Sequence, residues 1–322
     1  MKQIRLLFLA VLFMGAGCKK DATVKKEIDA INVAVKVKRF DKDFANTTEQ
    51  TLQKTKSEYP YLFPAHFPDS IWLNKLRDTL QLQLNNEVLA TYNDFSSVEA
   101  EFEMLFKHLI YYTPEITIPE IITVTSYVDY NKKAIYADSL LLISLDTYLG
   151  ENHTFYDGIQ QYIRKNFTEQ QIIPDAAVAI SKELLPAPAS RSFITQMIYE
   201  GKQLYFLDRV APWIEDDRKI GYTKDELLWA QANEAEIWRY FVERNLLFDT
   251  DQKLRQRFIN PAPFSKFYLE LDSESPGRVG AYIGWQIVRA FMDNNDVSLQ
   301  EMFLEPEESL FAKSRFKPKK NG

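Results

Sequence analysis

The segment from Ile121 to Leu145, IITVTSYVDYNKKAIYADSLLLISL, interrupts a largely helical pattern and decides the fold class. It is rich in β-branched and other apolar residues, and the pair Asn131-Lys132 is typical of a turn. We therefore predict three strands, at residues 121–129, 133–137 and 139–145, joined by two tight connections.

Upstream of this segment, Val33, Val35 and Val37 alternate with small or charged residues, which predicts an edge strand. Apolar residues at helical spacing then predict two helices, at about residues 69–86 and 96–112.

Downstream of Gly150 the pattern is helical almost to the end. The predicted helices span residues 155–166, 174–184, 190–209, 223–245 and 278–294. A small antiparallel or mixed sheet packed on a larger, mostly helical half is an α+β fold. We expect one globular domain over residues 34–322, with the sheet-containing part at about 34–150 and the helical part at about 151–322.

The first 17 residues have the layout of a secretory signal peptide. Lys2 and Arg5 precede an apolar run from Leu6 to Met14, and small residues then lead into Cys18. The run is shorter than the roughly 20 apolar residues that a transmembrane helix needs. A buried core helix is the alternative, but the extreme N-terminal position favours a cleaved signal at residues 1–17.

Cys18 is the one cysteine of the chain and stands where a lipoprotein signal is cut. Ala16 and Gly17 fit the bacterial lipobox that this ending resembles, whereas Gly15 stands where leucine is usual. We predict that acyl chains on Cys18 bind membrane lipid and that residues 18–33 form a polar tether. A free thiol in a soluble protein is the alternative.

The composition excludes several classes of function. Cleavage before Cys18 removes two positive charges and takes the formal net charge from −6 to −8, which argues against a nucleic-acid partner. A mature chain without an unmodified cysteine has no disulfide and no thiol nucleophile. The ten glycines form none of the phosphate-binding or nucleophile motifs, so we predict no cofactor.

Metal-binding and acid–base residues are also scarce. The three histidines, His66, His108 and His153, have neither HExxH nor HxxEH spacing, so no metal site is predicted. Glu200 and Glu234 lie among apolar and aromatic residues, where burial can raise a carboxyl pKa and create a proton carrier. Structural ion pairs with nearby lysines and arginines are the alternative that we favour.

The segment from Pro276 to Val288 carries Gly277, Gly280 and Gly284 on one helical face. Missing side chains there allow either tight helix packing or the close approach of a ligand. We predict that this segment and the acidic and aromatic residues of the helical half line a cleft between the two halves of the fold. The predicted lining residues are Tyr199, Glu200, Trp229, Glu234, Trp238, Arg278, Tyr282 and Trp285.

Five segments carry a family resemblance that extends over nearly the whole chain. They are Met197–Leu207, Ile220–Thr223, Leu228–Phe241, Phe258–Phe267 and Ser275–Phe291. The chain resembles the gliding-motility lipoprotein GldB family of the Bacteroidota. The resemblance implies a component needed for gliding on surfaces and partners among the gliding proteins and the type 9 secretion system, which exports adhesins across the outer membrane.

That family in turn looks like a relative of the zincin metallopeptidases. Zincins carry two histidines in HExxH on one helix and, in one type, a glutamate ligand on a later helix. Glu200-Gly201 is similar to the later element, but Asp175–Glu183, where the first should lie, has no histidine. The resemblance therefore implies a zincin-like fold without zinc and without catalytic residues.

Two functional hypotheses follow. The first is a non-catalytic binding or assembly protein of the envelope. The second is a hydrolase of envelope peptides or glycans that uses Glu200 with Glu234, which requires carboxylates roughly 5–9.5 Å apart in an open cleft.

The residue after Cys18 bears on the location. Lys19 follows the cysteine, and no aspartate does. This is similar to the pattern of lipoproteins released to the outer membrane, so we expect a periplasm-facing body there, with the inner membrane as the alternative.

Overall fold

The computed structural model describes residues 22–269 and 272–319, and the predicted signal peptide and Cys18 lie outside them. The described residues contain a four-stranded sheet in the order β1-β2-β4-β3. Its strands are β1 (Val37–Lys38), β2 (Glu120–Val124), β3 (Ala134–Ala137) and β4 (Leu140–Ser144).

The sheet is mixed. Strand β2 is parallel to both β1 and β4, with Ile121 opposite Val37 and also opposite Leu141, whereas β3 is antiparallel to β4. Ile121 belongs to the main hydrophobic core, and its neighbour Ile122 belongs to a smaller cluster around Phe44. Strand β2 is therefore buried on both faces, since successive side chains point to opposite sides of a sheet.

The prediction that the first strand extends to residue 129 is wrong, because the chain turns after Val124. The buried carboxylate of Asp146 accepts hydrogen bonds from the backbone N–H of Ser126 at 3.0 Å and of Val128 at 2.7 Å. Tyr127 and Val128 consequently adopt positive φ angles of 57°, which no extended strand contains. The predicted edge strand is likewise reduced to Val37–Lys38.

Helices occupy most of the remaining described chain. Those before β2 are α1 (22–29), α2 (Phe40–Ala45), α3 (Leu52–Glu58), α4 (Asp69–Arg77), α5 (Thr79–Thr91) and α6 (Ser96–Tyr112). Those after β4 are α7 (Gln161–Arg164), α8 (Ile172–Leu184), α9 (Phe193–Val210), α10 (Asp216–Ile220), α11 (Lys224–Ala232), α12 (Glu234–Glu243), α13 (Gln252–Phe258), α14 (Val279–Asn294), α15 (Leu299–Leu304) and α16 (Glu307–Ser314). None of these helices is long and apolar enough to cross a bilayer.

Two helices that were predicted as continuous are each divided by a polar residue. Asp78 divides residues 69–86 because its carboxylate accepts from the backbone N–H of Gln81 at 2.8 Å and so caps a new helix. Asn233 divides residues 223–245, and its side-chain amide donates to the Trp229 carbonyl at 2.9 Å.

The predicted helix at residues 155–166 is mostly wrong. Only a 3₁₀ turn at Thr154–Tyr156 and the four residues of α7 are helical there. Gly158 separates them with a φ of +86°, a left-handed value that interrupts a right-handed helix.

Part of the predicted tether packs on the body. Within residues 18–33, helix α1 buries Ile28 to 4% exposure, and the Tyr111 hydroxyl of α6 donates to the Glu27 carboxylate at 3.0 Å. Residues 22–29 of this segment are therefore helical and packed against the body.

Helices α9 and α14 cross at the centre of the helical half with their backbones in contact. A Cβ atom on Gly284 would lie 1.8 Å from the Met197 carbonyl oxygen, and one on Gly201 would lie 2.3 Å from the Gly284 carbonyl carbon. Gly284 thus serves tight helix packing rather than a ligand, and the α+β fold is confirmed.

Candidate functional site

A cleft of about 490 Å³ opens between α8, α9 and the loop that precedes α14. It is larger than the cavity of about 320 Å³ beside Trp229, and charged side chains make up much of its lining. Five basic side chains and two carboxylates line it, namely Lys133, Lys182, Lys219, Arg255, Arg278, Asp175 and Glu200.

Glu200 of α9 lies between two guanidinium groups. Its carboxylate oxygens are each 3.5 Å from an Nη2 atom, one of Arg255 and one of Arg278. Burial raises the pKa of the neighbouring Tyr199 hydroxyl, which lines the same cleft as a neutral group. The Glu200 carboxylate therefore compensates part of the positive charge of Arg255 and Arg278.

Asp175 of α8 is paired with the sheet half of the molecule. The Lys133 ammonium lies 2.5 Å from its carboxylate, and the Tyr148 hydroxyl donates to it at 3.0 Å. Lys133 is adjacent to strand β3, so this contact joins the sheet to the cleft.

Arg278 is positioned by an unusual backbone conformation. It precedes α14 with φ 62° and ψ 21°, a left-handed conformation that costs a non-glycine residue about 1–2 kcal/mol. Its Nη1 donates to the Ile220 carbonyl at 2.7 Å, while its buried Nε has no hydrogen-bond partner within the described chain. Such strain is most often retained where a side chain must point in one direction.

Lys219 is joined to a charge network behind the cleft. It reaches Asp208 at 2.9 Å and Asp216 at 3.3 Å, and the Arg289 guanidinium binds both carboxylates with distances of 2.7–2.9 Å. Burial lowers the pKa of Arg289, but these hydrogen bonds outweigh it and raise that pKa overall. The four groups neutralise one another and stiffen this wall.

Trp285 supports that network instead of lining the cleft. It is fully buried, and its indole N–H donates to Asp208 at 2.9 Å. The predicted cleft position of Trp285 is therefore wrong, because its indole fills the core and its one polar atom is satisfied there.

Glu234 and Tyr282 also differ from the prediction. Glu234 is 1% exposed, and it accepts from the Tyr282 hydroxyl at 2.9 Å and from the Lys319 backbone N–H at 2.8 Å. Neither residue lines the cleft with Glu200. The two glutamates therefore do not face each other across an open cavity.

The other two tryptophans of the predicted cleft, Trp229 and Trp238, lie outside it. Trp229 borders a second cavity of about 320 Å³ beside Tyr240. Trp238 packs its ring against Phe311 and Phe316, with centroid distances of 5.7 and 5.3 Å, and so holds the C-terminal segment. Of the eight predicted residues, Tyr199, Glu200 and Arg278 line the cleft, which is charged rather than aromatic.

Sequence reasoning missed most of the basic lining. Lys133, Lys219 and Arg255 belong to no motif and meet only through the tertiary fold. Asp175 and Lys182 do carry a signal, since a spacing of seven residues places them on one face of a helix.

No group of three or more His, Cys, Asp or Glu side chains among residues 22–269 and 272–319 is arranged to hold a metal ion. The cleft-lining side of α8 presents Pro174, Asp175, Val178 and Lys182.

A family model described as gliding motility protein GldB matches residues 21–318, which is nearly the whole chain. No curated protein and no solved structure matches the chain significantly.

Proposed function

The chain belongs to the family of gliding motility protein GldB, and from that membership we propose that it is a non-catalytic binding component of the envelope machinery for gliding. The family is one of lipoproteins related to gliding motility. The proposed role adds that the charged cleft binds a protein partner and that the partner belongs to the gliding and type 9 secretion machinery.

One observation carries this proposal: each carboxylate of the cleft forms an ion pair with a positively charged side chain. Glu200 lies between Arg255 and Arg278, and Asp175 is bound by Lys133. Proton transfer in a hydrolase needs an acid and a base that are free to reach the substrate in the right geometry. Carboxylates that are held in ion pairs are better suited to binding a partner than to catalysing hydrolysis.

We extend the proposal to the resemblance to zinc peptidases that the sequence suggests. In a zincin, the helix before the glutamate-bearing helix would supply two histidines, whereas Asp175, Val178 and Lys182 of α8 line the cleft here. A catalytic zinc needs imidazole or comparable ligands, and no histidine lines this cleft. We therefore propose a pseudo-metallopeptidase.

We further propose that acylated Cys18 anchors the protein and that its body faces the periplasm from the outer membrane. The support is the lysine that follows Cys18 and the lipoprotein family of the chain. The inner membrane is the alternative.

Crosslinking in a gliding bacterium that expresses the full-length protein tests the proposal. We expect envelope proteins to co-purify with the wild type, and Arg255→Glu and Lys182→Glu to reduce their yield at least about fivefold at equal protein level, because each variant reverses a charge of the cleft. Arg77→Glu, at an exposed site outside the cleft, is the matched control and should retain them.

Two outcomes contradict the proposal. One is a set of co-purified proteins that both cleft variants retain. The other is peptide or glycan turnover by the purified protein that a chelator abolishes or that Glu200→Gln eliminates.

A further inference from the structure

We propose that the cleft binds a single carboxylate group on a peptide, through Arg255, Arg278 and Lys182. This inference rests on the proposed binding role and names the chemistry of the bound group. Two sources can supply a carboxylate next to a peptide amide: the C-terminus of a chain and the side chain of an acidic residue.

The charges of the cleft do not cancel, although the protein as a whole is acidic. Lys133 is matched by Asp175, and Lys219 belongs to the self-neutral network behind the cleft. Glu200 compensates one of Arg255 and Arg278. Lys182, an exposed residue, forms no ion pair with any described residue. The cleft therefore has an excess of two positive charges in a chain of net charge −6.

The two guanidinium groups are only partly satisfied by Glu200, although Arg255 also donates from Nε to Asn260 at 3.2 Å and from Nη1 to Gln196 at 2.5 Å. Their contacts with Glu200, at 3.5 Å, are long for charge-assisted hydrogen bonds, which are typically about 2.7–2.9 Å. The Nε atom of Arg278 is buried and has no partner among the described residues. An unsatisfied buried donor is unfavourable, and a ligand carboxylate bound at Arg278 would satisfy it.

An acceptor in the same cleft is also unsatisfied. Gln171 is 4% exposed, and its Nε2 donates to the Arg218 carbonyl at 3.1 Å, which fixes the orientation of the amide. Its Oε1 is buried without a partner among the described residues. A peptide N–H is a donor that would satisfy this oxygen.

The apolar lining and the size of the cleft favour a peptide over a phosphate ion. Val178, Leu204 and Ile259 give the cleft an apolar wall suited to an aliphatic side chain. The volume of about 490 Å³ lies within the range of small-ligand sites, about 300–1,000 Å³.

Isothermal titration calorimetry with the purified full-length protein in detergent tests the inference. The probes are acetyl-Ala-Leu with a free carboxylate, the same peptide as its C-terminal amide, acetyl-Asp-Leu amide and inorganic phosphate. We expect one or both carboxylate peptides to bind at least about tenfold more tightly than the uncharged amide, the loss expected for one charge-assisted hydrogen bond. The better of the two identifies the source of the carboxylate.

Variants connect that affinity to the cleft. Arg255→Gln should weaken carboxylate binding about tenfold, and Lys182→Gln, at an exposed site, should weaken it about two- to fivefold. Lys182→Gln leaves the packing intact, and circular dichroism checks the fold of each variant. Arg77→Gln, outside the cleft, should leave the affinity unchanged.

Three results would overturn the inference: no measurable binding of either carboxylate peptide, equal binding of acid and amide, or tighter binding of phosphate. Each leaves the crosslinking result of the proposed function untouched, because a partner can engage the same cleft through other groups. Wild-type protein that binds the carboxylate peptides but co-purifies with no envelope protein would instead contradict only the assembly role.

Discussion

The Lys202 ammonium and the Glu307 carboxylate form an ion pair of 3.0 Å in which the side chains keep only 1% and 3% of their exposure. The ammonium also donates to the carbonyl oxygens of Phe303 and Glu305, at 3.1 and 2.7 Å. All three of its N–H donors are thus used, and α9 is tied to the C-terminal helices.

Removing one partner of this pair should destabilise the protein strongly. Lys202→Met leaves Glu307 charged and buried, which typically costs about 3–5 kcal/mol. The double variant Lys202→Met/Glu307→Gln should lose less than Lys202→Met alone, because no buried charge stays unpaired. Urea unfolding of the two variants and the wild type measures the difference, and a double variant as unstable as the single one contradicts the role of the pair.

Adding a side chain at the crossing of α9 and α14 should also destabilise the protein strongly. A Cβ on Gly284 would lie 1.8 Å from a backbone oxygen that cannot move without bending α9. Gly284→Ala should therefore cost at least about 3 kcal/mol or prevent folding.

Gly158→Ala is the control for this variant, because its Cβ would meet nothing within 4 Å and only the positive φ is unfavourable. Its cost should be about 1–2 kcal/mol. Similar unfolding midpoints for the two variants would mean that the helices can separate at the crossing.

Acid should weaken the fold partly through His108. Burial lowers the pKa of its imidazole, and a hydrogen bond to the Met104 carbonyl at 2.8 Å only partly opposes this effect. The unfolded chain, with a pKa of about 6.5, then binds the proton more readily than the folded chain does. The stabilisation is present above about pH 6.5 and is lost as the pH falls through the lower folded-state pKa.

Urea midpoints between pH 7.5 and 5 measure this dependence. His108→Gln should flatten the decline of stability toward pH 5, whereas His66→Gln, at an exposed position, should keep it. The same slope in wild type and His108→Gln would contradict the assignment.

The membrane anchor is tested at Cys18. Cys18→Ala removes the thiol that would carry the acyl chains, so the protein should move from the membrane to the soluble fraction on centrifugation, since a durable anchor depends on those chains. Cys18→Ala protein that sediments with membranes as the wild type does would contradict lipidation at this residue.

The fold was predictable where the pattern is local. The β-branched run after Glu120 and the apolar periodicity of α8, α9 and α14 are properties of neighbouring residues. The structure has a strand that begins at this run, and it has the three helices within three residues of the predicted bounds. The breaks at Asp78 and Asn233 were missed because a single side-chain hydrogen bond decides each of them against the apolar pattern.

The candidate site was predictable only in part, for a different reason. Glu200 and Arg278 were chosen for their unusual neighbours in sequence, and both line the cleft. Trp285 and Glu234 have equally unusual neighbours but satisfy their polar atoms inside the core. Sequence alone does not distinguish a polar group satisfied by the protein from one that faces a cavity.

The docking of α1 against α6 would limit how far the protein extends from a membrane to which Cys18 anchored it. From Cys18 to residue 22, where α1 begins, the chain spans at most about 14 Å when fully extended. An acylated Cys18 would therefore keep the α1–α6 side next to the lipid headgroups. A partner in the opposite membrane would then have to cross most of the periplasm itself.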